Sequence, residues 1–148
     1  MKKILIPIDA SEHSARAVEM GREFAKSFGS NVVLLNVLDI ILPISTYELN
    51  QYVQAGGSIP DIYDTAKEEA DKLLGNAKKS FGDLADKVEI VTLEGDTSNK
   101  IIEYINDNDF DMVIMGSHGM SAPFKYFLLG SVTSRVLHHS KKPILVVR

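Results

Sequence analysis

Short runs of isoleucine, valine and leucine alternate along this chain with longer stretches in which apolar residues return every three or four positions. The runs predict strands at 3–8, 31–37, 87–93, 111–115 and 143–147. The periodic stretches predict helices at 12–28, 61–81, 99–108 and 131–139. In the second helix Ile62, Ala66, Ala70, Leu74, Ala77 and Phe81 recur at helical spacing, while Lys67, Glu68, Glu69, Asp71 and Lys72 fall elsewhere, as on a helix laid over a core. The strands are apolar throughout rather than alternating, which is expected when helices cover both faces of a parallel sheet. Right-handed crossovers then build a three-layer α/β sandwich on a five-stranded, mainly parallel sheet. Segment 39–60 is too long for an ordinary connection and carries Ile40, Ile41, Leu42, Tyr47 and Tyr52 beside Gly56 and Gly57. It is expected to hold a short helix, either in a variable insertion packed on the domain or in a lid.

The 148 residues fit one domain, 1–148, and bury enough surface to fold without staples. The absence of cysteine excludes disulfides and thiolate metal sites, and cytoplasm is the expected compartment. Net charge is −4, and no basic block exceeds the pairs Lys2-Lys3, Lys78-Lys79 and Lys141-Lys142, so nothing argues for a nucleic-acid partner. The opening MKKILIPIDASE begins like a secretory signal, but its apolar run stops at Asp9. No segment approaches the roughly 18–20 apolar residues of a membrane span, so no membrane partner is expected.

The strongest chemical signal is DMVIMGSHGMSAPFKYFLLGSVTSRV, residues 111–136. A predicted strand ending at Met115 opens into Gly116, Ser117, His118 and Gly119, and a loop later Gly130, Ser131, Val132 and Thr133 stand at a predicted helix start. Glycine permits tight turning and close backbone approach, and the first amides of a helix lack intrahelical acceptors. Two such clusters can hold a chain of phosphates; the same glycines also suit a plain strand-to-helix turn. Ser131 fits either a phosphate donor or a helix cap. The chain has no P-loop lysine, and Lys125 is the loop's one fixed cation, so phosphate charge requires backbone amides and a divalent metal. His118 lacks a Ser/His/Asp set or a GxSxG motif and is read as a ligand contact rather than a base. His13, His138 and His139 are assigned to helix surfaces, and no spacing matches a transition-metal site.

KILIPIDASEHSARA at the N-terminus, LLNVLD at the end of the second strand, and MGSHG with LLGSVTSRVLHHSKKPILVV resemble the universal stress protein family across essentially the whole chain. The resemblance implies strand order 3-2-1-4-5, of the adenine nucleotide α-hydrolase-like kind. It also implies ATP (or AMP or ADP), with Mg or Mn, in a crevice at the C-terminal ends of strands one and four. Open α/β sheets bind ligands at such a reversal. Pro7, Ile8 and Asp9 leave strand one there, and Met115 and Gly116 leave strand four. Val37 would offer backbone groups to the edge of adenine. Asp9, kept from phosphates by like charge, suits the base or ribose, or else an Asx turn or a helix cap in competition with Ser11. In the ATP-binding branch nine residues separate GxxG from the next Gly-Ser or Gly-Thr; Met120 to Leu129 make ten. The last strand is an exposed apolar edge, and the resemblance implies a homodimer joined antiparallel through 143–148, with Ile144 and Val146 in the interface.

The combined expectation is an ATP-binding, homodimeric stress-response or signalling protein whose nucleotide regulates binding of an unidentified protein partner. No catalytic residue is assigned, because neither a general base nor an arginine finger is evident, and any ATP hydrolysis is expected to be slow or partner-dependent. The alternatives are a nucleotide-free dimeric scaffold of the same family, which the longer loop favours, and a weak or partner-dependent ATPase.

Overall fold

A computed structural model describes residues 1–39, 46–119 and 129–148. The longer glycine loop and the first part of segment 39–60 thus lie outside the described residues. The chain opens with β1 (Lys3–Pro7), α1 (Glu12–Phe28) and β2 (Asn31–Leu38). The expected short helix follows as α2 (Thr46–Gln54), then α3 (Ile59–Lys79), a 3-10 segment at Gly82–Lys87 and β3 (Val88–Glu94). Beyond these come α4 (Thr97–Asp107), β4 (Met112–Gly116), α5 (Ser131–His139) and β5 (Ile144–Val147). The sheet runs β3-β2-β1-β4-β5 with every pairing parallel, the order implied by the family resemblance.

Alternate residues of each central strand serve opposite layers, which is why the strands read as unbroken apolar runs. Ile4, Ile6, Val32, Leu34 and Ile114 pack with Ala17, Val18 and Ala25 of α1 and Leu74 of α3. Leu5, Val33, Leu35, Val113 and Met115 pack with Ile101 and Ile105 of α4 and Val136 of α5. Both layers converge on β1, whose Ile4, Leu5 and Ile6 are fully buried.

Helix boundaries follow their caps more closely than their apolar periods. Ser58 accepts a hydrogen bond from the Asp61 N–H, so α3 begins at Ile59 and takes Pro60 into its first turn, where a missing N–H has no helical role. Asp96 caps α4 through the Asn99 N–H, starting that helix two residues earlier than its apolar pattern predicts. Gly29 closes α1 at φ 67°, the left-handed conformation that glycine adopts at no steric cost. Among the described strands β5 lies at the edge and pairs with β4, and its four residues are half-buried. Among the described residues no helix is long and apolar enough to cross a membrane.

Candidate functional site

The connection leaving β1 turns toward one face of the sheet and that leaving β4 toward the other, which opens a crevice at their C-terminal ends. The cavity there measures about 550 Å³, within the range of roughly 300–1,000 Å³ common to small-molecule sites. Its lining includes Pro7, Ile8 and Asp9 from β1, Val37 from β2, and Met115 and Gly116 from β4. His118 and Gly119 follow β4, and Gly130, Ser131, Val132 and Thr133 open α5. Of the site residues read from the sequence, Ser117 alone stays off the cavity wall. It is 1% exposed, and its N–H donates to the Val147 carbonyl at 2.7 Å, which turns it inward behind the crevice.

The glycines act through contact. None of Gly116, Gly119 and Gly130 has a positive φ, so at these positions the missing side chain matters more than left-handed geometry. A Cβ on Gly116 would lie 2.8 Å from the carbonyl carbon of His13, because the first turn of α1 rests directly on the end of β4. A Cβ on Gly119 would lie 2.9 Å from Asp9 Oδ2, and one on Gly130 3.2 Å from His118 Cα. The start of α5 is tied to β4 by two bonds, Gly130 N–H to the Ser117 carbonyl and Thr133 Oγ1 to the Gly116 carbonyl, both 2.8 Å.

Among the described residues no side chain caps α5, whose N-cap position is Gly130. Ser131 is the exposed first residue of the helix, so its capping alternative is not realised. The first amides of α5 therefore lack both an intrahelical acceptor and a side-chain cap, and they carry the positive end of the helix dipole. At α1, Ser11 caps by accepting from the Ser14 N–H at 3.1 Å, and Asp9 Oδ1 accepts from the Ser11 N–H at 3.0 Å in an Asx turn. The Asx-turn reading of Asp9 thus holds, and it engages one carboxylate oxygen while Oδ2 faces Gly119.

β2 outruns β1. The last ladder pair between them is Pro7 with Leu35, the Leu35 carbonyl accepts from the Ile8 N–H at 2.8 Å, and the Leu38 carbonyl accepts from Gly95 on the opposite side. Backbone groups alternate along a strand, so the N–H and C=O of Val37 point to the β1 side, past the end of the ladder. The Asn36 Nδ2 meets the Ile8 carbonyl at 2.9 Å and closes off that strand end. The crevice thus combines a helix start rich in unbonded amides with a strand end that offers one donor and one acceptor. Among the described residues, no group of three or more His, Asp or Glu side chains is placed to hold a metal ion.

A model of the universal stress protein family matches residues 1–148. The chain belongs to that family. Universal stress protein MJ0577 of Methanocaldococcus jannaschii is 33% identical over 156 residues, spanning 99% of this chain and 94% of its own. Its solved structure superposes with a TM-score of 0.77, with the same shares covered. UspA from Lactobacillus plantarum reaches 0.82 at 20% identity, over 99% of this chain and 97% of its own, a likeness of fold. A family protein of Arabidopsis thaliana with AMP bound shares the fold at 0.68 and 16% identity, over 99% and 91%.

In this universal stress protein the crevice also draws in residues that sequence reasoning missed: Ser14, Leu35, Asn36, Asp39, Thr97 and Ile101. Thr97 and Ile101 come from α4, whose early start, signalled by the cap residue Asp96, was the one local clue. His138 and His139 are exposed on α5 as expected. His13 departs from its surface assignment, because it is half-buried with its ring 5.2 Å from that of His118. The approach of α1 to Gly116 brings the two histidines together.

Proposed function

We propose that this universal stress protein binds an adenine nucleotide in the crevice between β1 and β4 and uses it as a regulatory ligand in a stress response. The observation that carries this reading is the uncapped start of α5 opening onto the same cavity as the free backbone edge of Val37. Phosphates belong at the amides of Ser131 and Val132, with the Ser131 hydroxyl as a further donor. Adenine belongs at the N–H and C=O of Val37, and the outer oxygen of Asp9 suits a ribose hydroxyl. AMP bound to the Arabidopsis relative supports the ligand class. A divalent metal would arrive with the phosphates, whose oxygens supply most of its ligands.

The half-buried edge β5 favours a homodimer joined antiparallel through residues 143–148, with Ile144 and Val146 at the seam. Isothermal titration of the full chain with MgATP, and separately with AMP, is expected to give one site per chain. Absence of heat at millimolar nucleotide would overturn the reading in favour of a nucleotide-free scaffold. Light scattering that returned a monomer mass would remove the dimer.

A further inference from the structure

Two residues outside the crevice converge on one of its walls. The Oγ of Ser117 stands 3.0 Å from Nδ1 of His118 and 3.4 Å from Nδ1 of His13. The two rings lie 5.2 Å apart between centroids, tilted by 45°. His118 lines the crevice and turns Nδ1 inward to the buried hydroxyl, which leaves Nε2 as the ring nitrogen available to a ligand. A hydroxyl has one proton to donate, so Ser117 can donate to only one ring, and a second hydrogen bond requires the other ring to donate to it. When Ser117 donates to His118, neutral His118 carries its proton on Nε2 and His13 carries one on Nδ1. When Ser117 donates to His13, neutral His118 presents a bare lone pair at Nε2. An anion in the crevice selects the first arrangement.

We propose that His13 and Ser117 are positioning residues that set the protonation of His118, so that its Nε2–H donates to an anionic ligand in the crevice. The ligand's identity rests on the nucleotide reading above, whereas the relay is a property of the free protein. When His118 takes up a proton it donates from both nitrogens, and Ser117 reverses to donate to His13. Among the described residues, the charged groups on the segments that meet this turn include Asp9, whose Oδ2 faces Gly119, Glu12 on α1, which is ion-paired with Arg16, and Arg148 next to Val147. α5 and β5 meet the turn with uncharged backbone, the Gly130 N–H and the Val147 carbonyl.

Ring-nitrogen NMR of the full chain, which distinguishes the two imidazole tautomers, tests this. In the ligand-free wild type one ring is expected to accept at Nδ1 from Ser117 and the other to donate from Nδ1 to it. Ser117→Ala should remove that pairing of ring forms, and Ser117→Thr, which keeps the hydroxyl, should restore it. With MgATP bound, His118 is expected as the Nε2–H form and His13 as the Nδ1–H form. Ser117→Ala and His13→Phe should each weaken ATP by about 3- to 10-fold, the loss of one oriented hydrogen bond, whereas Ser117→Thr should keep the affinity. Unpaired ring forms in the wild type, a bare Nε2 on bound His118, or unchanged ATP affinity in His13→Phe would each overturn the relay. Paired ring forms with no ring response to ATP would sink the nucleotide reading and leave the relay standing. Should Ser117→Ala fail to fold, His13→Phe, at a half-buried position, carries the test.

Discussion

Two helices begin at the same crevice and treat their first amides in opposite ways. α1 is closed: the Ser11 side chain accepts from the Ser14 N–H in the first turn, and Asp9 accepts from the N–H of the cap residue Ser11 itself. α5 is open: glycine holds its cap position, and among the described residues no side chain replaces the missing acceptor. A capped helix start contributes stability, whereas an uncapped one facing a cavity forgoes some of it for anion affinity. On the nucleotide reading proposed above, the difference separates a helix whose beginning serves the fold from one whose beginning serves a ligand.

The comparison depends on both starts meeting at Gly116, so Gly116→Ala should break it most severely. Its Cβ would press on the His13 backbone and push α1 off β4, costing about 1–3 kcal/mol in chemical denaturation. The next effect falls on the open start. Ser131→Asp sets a carboxylate where phosphates belong and should weaken ATP on the order of tenfold or more by titration, yet leave the melting temperature level or slightly higher, because a negative charge suits a helix N-terminus. A combined loss of affinity and stability would show that α5 is held by its first residue rather than opened by it. Ser11→Ala is the converse change at the closed start. It should cost about 1 kcal/mol of stability while moving ATP affinity little.

The smallest effect lies at the other end of the strands. There Asp111 accepts backbone N–H bonds from Lys3 and Lys2, which hold its carboxyl below the ordinary value of 3.8. A depressed folded value stabilises the native state above the unfolded value, and that contribution is lost as pH falls through the folded one. Asp111→Asn should therefore melt slightly below wild type near neutrality and converge with it progressively below pH 3.8. A gap that persisted in acid would mean that the two N–H bonds, rather than the charge, hold this strand end.

Much of the architecture was legible because its causes are local. Apolar runs such as 3–6 and 31–35 mark strands buried on both faces. The glycines at 116, 119 and 130 line the crevice, and Gly-Ser before an apolar period is a local helix-start signal. What was missed came from contacts between distant segments. Thr97 and Ile101 reach the crevice because α4 packs on the α5 face of the sheet. His13 meets His118 because the first turn of α1 sits on Gly116, a contact that no spacing along the chain announces.

By itself the sequence determined the order and character of the elements, since side-chain size, branching and capping chemistry act over a few residues. It also determined that α1 would have a side-chain cap, by placing Ser11 three residues before Ser14, whose N–H donates to the Ser11 hydroxyl. Only the tertiary structure decided what the glycines are for, which backbone edge stands free and which histidines share a hydroxyl. Those facts depend on strands and helices crossing at fixed distances, and the sheet's parallel register sets those distances.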